Sequence, residues 1–187
     1  MKKILNLIRE YIPELPPALI HDLEHNFKLQ AFEKGATIIK EGAACRHLYF
    51  LEEGLVRYHR SIDGKELTTW FSFPNEFMTV FDSFFLQIPS KETVESIADC
   101  RLYAISYPKL QQLFENSPIW ERIGRIFITL YAIQLEDRIY MLQGMTAEEK
   151  YAYLLQKQAH IVQTIPGKYI SSYLGITRET LSRIRSK

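Results

Sequence analysis

Four residues close to the C-terminal end, Arg178, Glu179, Ser182 and Arg183, carry side chains suited to reading nucleic-acid bases. An arginine fork makes a bidentate pair with guanine, and a carboxylate accepts from the cytosine amino group. With Arg178 at zero and about 100° added per residue, Ser182 falls at about 40°, Glu179 at about 100° and Arg183 at about 140°. Leu181 and Ile184 fall at about 300° and about 240°, on the opposite arc. Glu179 repels phosphate, so its place between two arginines points to sequence-specific readout over nonspecific attraction. Lys168, Thr180 and Arg185 are suited to contacts with the sugar–phosphate backbone.

Such a face has to be held by a helix-turn-helix. Residues 167–187 read GKYISSYLGITRETLSRIRSK. Ile170, Leu174, Leu181 and Ile184 supply the packing, and the small Ser171 lets the first helix cross closely over the second. Gly175 permits the turn without a Cβ penalty. Thr177 is placed to cap a recognition helix over 177–187, leaving Arg178 and Glu179 in the turn that enters the major groove. Charge agrees: this segment carries +4, counting Lys187, and the rest of the chain −3. A basic end on a mildly acidic body concentrates the attraction for phosphate at that end.

The elements that carry this unit follow from the texture upstream. Residues 1–27 predict two short helices broken at Pro13–Pro17. From Lys28 to about Ser106, short β-branched and aromatic segments alternate with Lys34-Gly35, Glu41-Gly42, Glu53-Gly54 and Asp63-Gly64. That spacing predicts an antiparallel sandwich or barrel, with a hairpin at Asp63-Gly64 and a tight turn at Glu52–Gly54. A short helix over 108–115 precedes a long one over 118–143, with Ser117 placed to cap it and Pro118 in its first turn. Ile119, Ile123, Ile126, Leu130 and Ile133 repeat at steps of four and three and predict a dimer seam. Trp120, Phe127 and Leu135 widen the apolar arc, as expected of a helix covered by its own domain on one side and a partner on the other. Thr146 followed by Glu149 predicts a capping box opening a helix from Ala147 to about Lys157. The class is α+β, divided as 1–116, a helix 117–143, and 144–187.

Composition excludes several functions. No apolar run approaches the roughly 20 residues that span a membrane, and MKKILNLIRE is interrupted by Asn6, Arg9 and Glu10, unlike a signal peptide. Cys45 and Cys100, the two cysteines, imply no disulfide framework and fit a reducing cytoplasm. His21 and His25 have metal-compatible spacing but no third ligand nearby, so they are expected on the surface. No phosphate loop or nucleophile elbow is present, which speaks against an enzyme.

Two stretches resemble the Crp/Fnr family of bacterial transcription regulators. Phe32-Glu33-Lys34-Gly35, Gly42 and His47 to Arg57 are similar to the glycine-punctuated β-roll of cyclic nucleotide-binding domains. Ile176 to Ile184 is similar to the family's recognition helix, whose base contacts fall at Arg178, Glu179, Ser182 and Arg183. Glu179-x-x-Ser182-Arg183 looks like the reader of TTGA-like half-sites and Arg178 like that of GTGA-like ones, so a GA core is expected. The resemblance implies a jelly-roll-type β-roll, a long dimerisation helix and a small all-α DNA-binding domain. It implies double-stranded DNA with a palindromic operator, a second copy, RNA polymerase and a small-molecule effector as partners. Glu76, Ser90 and Lys91 fall at the effector positions. Asn75 stands where the family's phosphate loop has glycine and Ser90 where it has arginine, so a cyclic nucleotide is disfavoured. Two cysteines cannot hold the iron–sulfur cluster of some members. The sequence as given stops at the recognition helix, where many members continue into a wing. The rival expectation is a small-molecule sensor whose C-terminal helices bind a protein.

Overall fold

The computed structural model describes residues 1–186, apart from the side chains at 157, 158, 160 and 161; Lys187 lies outside the described residues. Two short helices, α1 (Lys2–Tyr11) and α2 (Pro17–Asn26), lead into eight strands. These are β1 (Lys28–Phe32), β2 (Thr37–Ile39), β3 (His47–Glu53), β4 (Val56–Ile62), β5 (Lys65–Ser72), β6 (Glu76–Met78), β7 (Thr93–Ser96) and β8 (Cys100–Ser106), with α3 (Phe81–Leu86) between β6 and β7. They form two antiparallel four-stranded sheets, ordered β1-β8-β3-β6 and β2-β7-β4-β5. Apart from the β4–β5 hairpin, successive strands alternate between the sheets, the arrangement of a β-roll.

The turns do what their residues require. Asp63 and Gly64 both have positive φ (49° and 75°) and close the β4–β5 hairpin, as a two-residue primed turn demands. The Glu53-Gly54 turn carries the chain from one sheet to the other. A Cβ at Gly54 would lie 2.5 Å from the Asp99 carbonyl oxygen and from Cys100 Sγ. Only glycine fits that crossing. Inside the roll, Phe50, Leu51, Val56, Val94, Leu102 and Ile105 are fully buried, each stabilising the fold by about 1.5–3 kcal/mol. Cys45 and Cys100 are free thiols within this core, and burial pushes the Cys100 thiol up.

Five helices follow: α4 (Tyr107–Asn116), α5 (Pro118–Gly144), α6 (Ala147–Val162) and the pair α7 (Gly167–Leu174) and α8 (Arg178–Arg185). Ser117 stands at the α5 N-cap, but its hydroxyl makes no cap hydrogen bond. The capping box of α6 forms in full: Glu149 accepts from the Thr146 amide and hydroxyl, both at 2.8 Å, and the Glu149 amide donates back to Thr146 Oγ1 at 3.3 Å. The same bonds hold the Glu149 carboxyl below its usual range. So anchored, α6 runs past the expected end at Lys157 to Val162. None of the helices among the described residues is long and apolar enough to cross a membrane.

The long helix α5 has two characters. Its first half is fixed to the roll: Trp120 Nε1 donates to Asp22 Oδ2 at 2.9 Å, Phe127 packs on Phe77 at 4.7 Å, and Tyr131 stacks on Phe81 at 3.8 Å. Ile123 is buried in the roll's core and Ile119 and Ile126 pack against that core. These three residues of the expected seam therefore face the chain's own domain. Leu130 is half-buried and Ile133 exposed. The apolar side chains left on the surface are Ile128, Ile133, Leu135, Ile139 and Leu142, with Ala132 also exposed. Residues 128, 132, 135, 139 and 142 recur at alternating steps of four and three, the spacing of a coiled-coil seam. Two apolar arcs share one helix, and the inner arc carries the same period as the outer.

The C-terminal helices do not form a separate body. Met141, Leu154, Val162, Ile165, Ile170, Leu174 and Leu181 bury together with Leu55, Phe71 and Phe73 of the β-roll. Helix α7 also covers the edge strand β5, where the Thr68 amide donates to Ser172 Oγ at 2.8 Å. That bond satisfies a backbone group which an open sheet edge leaves unpaired.

Candidate nucleic-acid interface and sensor cavity

The α7–α8 unit is built as its residues predict. Gly175 adopts the left-handed conformation (φ 65°), and its amide and that of Ile176 bond back to the Ser172 and Ser171 carbonyls. Ser171 is buried at the crossing, its hydroxyl donating to the Lys168 carbonyl. Thr177 caps α8: its Oγ1 accepts from the Thr180 amide at 3.1 Å. Leu181 is buried on the inner side. Arg178, Glu179, Ser182 and Arg183 are all exposed. The structure thus brings together the four residues assigned to base contacts on one open face of a capped helix.

The surrounding residues sort differently. Lys168 is exposed, its ammonium 4.7 Å from the Tyr169 ring centroid. The Thr177 hydroxyl donates to Thr180 Oγ1 at 3.1 Å, so both threonines are drawn into the cap. Arg185 turns back to α6, donating to the Tyr151 hydroxyl at 3.1 Å. It braces the unit and stands apart from the reading face. Chiefly a hydrogen bond from its own amide holds the Glu179 carboxyl below the usual range. It is therefore ionised at neutral pH, as acceptance from a cytosine amino group requires.

Behind this unit lies a polar cluster that sequence reasoning missed. Arg57 is 1% exposed and all its contacts are made within the chain. Its Nε donates to Thr68 Oγ1 at 3.0 Å, and its two terminal nitrogens donate to Glu95 at 2.7 Å and Glu66 at 2.8 Å. Its guanidinium lies 3.7 Å over the Tyr169 ring of α7. The Arg57 bond holds the Glu66 carboxyl below its usual range. A second arginine, Arg138 of α5, donates to the Tyr173 carbonyl and lies 3.7 Å over that ring. Both arginines tie α7 to elements far away in sequence. Arginines alternating with apolar residues in strand and helix give no hint of this.

A cavity of about 920 Å³ runs between the β-roll and α5 and reaches α7 at Ser172. Glu76 lines it, but Ser90 and Lys91 do not. The Ser90 hydroxyl is buried and donates to the Glu92 carbonyl at 2.7 Å while accepting from the Glu92 amide. Lys91 pairs with Asp82 at 3.7 Å. The three expected effector residues therefore do not converge. Other donors that could grip a phosphate are also engaged: the Asn75 amide with the Leu51 carbonyl, and the Ser83 amide with Asp82 Oδ1. Among the described residues, the cations lining the cavity are Arg60 and Arg138. Arg60 is paired with Glu92 at 3.0 Å, and Arg138 is held by Tyr173. Glu76, Asp82 and Glu92 line the same space. Both cations lining the cavity are committed within the chain, so the residues disfavour a cyclic nucleotide held by its phosphate. His21 and His25 stack on each other at 3.8 Å, and no cluster of metal-ligand residues occurs among the described residues.

Similarities to known proteins match this anatomy. Residues 29–117 match the model of the cyclic nucleotide-binding domain. None of the curated proteins matches the sequence. Among solved structures, FixK2 from Bradyrhizobium japonicum aligns with a TM-score of 0.75 at 20% identity, over 86% of this chain and 83% of its own. The c-di-GMP-responsive global regulator CLP of Xanthomonas campestris aligns at 0.71 and 18% identity, over 91% and 90% of the two chains. A transcriptional regulator assigned to the Crp/Fnr family from Eubacterium rectale aligns at 0.72 and 19%, over 96% and 85%. The chain is therefore similar to cyclic nucleotide-binding domains over 29–117 and has the fold of the Crp/Fnr regulators.

Proposed function

We propose that this chain is a cytoplasmic, homodimeric transcription regulator that reads a palindromic operator through Arg178, Glu179, Ser182 and Arg183. The carrying observation is the exposure of all four on one side of α8, with Leu181 buried behind them. A helix docking onto a protein partner has no need of two arginines flanking a carboxylate on an otherwise polar face. The fold it shares with the global regulator CLP and with the Crp/Fnr-family regulator of Eubacterium rectale supports the same reading.

The dimer forms along the outer arc of α5, through Ile128, Leu135, Ile139 and Leu142. Their exposure and spacing favour this arc over the Ile119–Ile123–Ile126 arc, which packs on the roll. Twofold pairing sets two recognition helices about one DNA turn apart, hence the palindrome. An effector in the cavity bears directly on α5, one wall of that cavity, and shifts the population of dimer poses that match the operator spacing. A cyclic nucleotide held through its phosphate is disfavoured as that effector.

Selection of DNA from a random pool by the full chain tests the proposal. A palindrome with a GA core is the expected result, with affinity falling steeply as salt rises because phosphate contacts release counterions. A pool that stays random, or an Arg183→Ala variant with unchanged sequence preference, would overturn it in favour of a protein-binding adaptor.

A further inference from the structure

The cavity between the roll and α5 offers a phosphate only cations already engaged within the chain, yet it is large and its walls are specific. Its volume of about 920 Å³ lies in the range of small-molecule sites, roughly 300–1,000 Å³. Trp70 and Tyr131 both line it and are only half-buried. Their rings meet edge to face at 6.2 Å, with Tyr131 backed by Phe81 in a parallel stack. Such a set presents rigid aromatic faces to whatever enters.

One polar group on this wall lacks a partner. Thr69 lines the cavity, and its Oγ1 is buried without a hydrogen bond. It sits at a β-bulge: opposite it the β4–β5 register shifts between Tyr58 and His59. Bulges of this kind re-aim a side chain beside a functional site. A buried hydroxyl without a partner is costly, so an orphan on a cavity wall marks the place where a ligand atom would complete it. Nearby Tyr58 is buried, its phenol pushed up by desolvation and therefore neutral. The lining carboxylates outnumber the lining cations, and both of those cations are engaged.

We propose that this cavity binds an uncharged, planar aromatic molecule bearing one hydroxyl or carbonyl group, its ring against Trp70 and Tyr131 and its polar atom on the Thr69 hydroxyl. Binding itself stands apart from DNA reading; only its regulatory effect rests on the function proposed above. Ile128 and Leu135 line the cavity as well as the outer arc of α5. A ligand there touches the residues that meet the second copy.

The test is a titration of the full chain with 2-naphthol, beside naphthalene, naphthalene-2-sulfonate and cyclic AMP, read by calorimetry and tryptophan fluorescence. 2-Naphthol should bind once per chain, and about tenfold or more tightly than either anion, because an unpaired charge in this cavity goes uncompensated. Thr69→Val should weaken 2-naphthol by about three- to tenfold, the loss of one hydrogen bond, and leave naphthalene unchanged. Tyr131→Leu should weaken both. Tighter binding of cyclic AMP than of 2-naphthol overturns the proposal, as does 2-naphthol binding indifferent to both substitutions. Binding confined to a monomeric Ile139→Glu variant and absent from the dimer also overturns it, since the groove is then the seat of the partner's helix. Operator binding is measured on the same samples. Loss of DNA reading with naphthol binding retained sinks the regulator alone, and the converse sinks the ligand class alone.

Discussion

Two polar regions of this molecule, the face of α8 and the loops around Glu76 and Ser90, both carry residues that could hold a nucleic acid or a nucleotide. They differ in whether those groups are already engaged. On α8 the cap is completed by Thr177 and Thr180, which leaves Arg178, Ser182 and Arg183 open to solvent. In the loops, the Ser90 hydroxyl, the Asn75 amide and the Ser83 amide are all bonded within the chain. The lesson is that residue type marks a candidate, whereas the availability of its donors decides whether it can serve.

Several measurements would break or sharpen that contrast. The largest effect is expected from Ile139→Glu, which places a charge in the outer arc of α5. It should give a monomer in ultracentrifugation and lower operator affinity by about 100-fold or more, the avidity of two linked half-sites. A variant that remains dimeric would move the seam elsewhere. Arg183→Ala should cost about 1–3 kcal/mol of operator binding and relax preference at one base pair. A uniform loss across all sequences would reduce Arg183 to a phosphate contact. Thr177→Ala should lower thermal stability by about 1 kcal/mol through loss of the α8 cap, without altering which bases are preferred.

A smaller effect involves pH. The Glu66 carboxyl is depressed below its ordinary value of 4.5, chiefly by the Arg57 hydrogen bond. A depressed carboxylate stabilises the fold above that ordinary value, and its contribution is lost as pH falls through the lower, folded-state value. The melting temperature should therefore fall more steeply below about pH 4.5 in the parent than in Glu66→Gln. Parallel curves would show that the Arg57 cluster gains nothing from Glu66. Least of all, Lys91→Ala should change stability by less than about 0.5 kcal/mol and leave cyclic AMP binding as weak as before. A measurable drop in nucleotide binding would return Lys91 to the effector site.

Much of this was legible in residue order. Glycines with positive φ mark the turns of the roll, Thr146 and Glu149 announce α6, and the polar and apolar arcs of 178–184 separate cleanly. What could not be read depends on which surface lies opposite. Helix α5 carries two apolar arcs of the same period, and nothing local tells which one the roll covers; Trp120 and its bond to Asp22 decide it, 98 residues apart. Ser90 folds back on its own neighbours because the chain turns tightly there. Arg57 looks like an ordinary strand residue until α7, more than a hundred positions later, lays Tyr169 across it.

The burial of Leu55, Phe71 and Phe73 alongside Ile170, Leu174 and Leu181 has a thermodynamic corollary. A reader hung on a slack tether has to be oriented afresh at each encounter with its target. Here the mount is rigid before any encounter, so little orientational entropy is left to lose on docking. The same union removes independence. Heating should produce one calorimetric peak for roll and reader together, and excising 144–187 should expose Phe71 and Phe73 and yield two insoluble halves in place of two working modules.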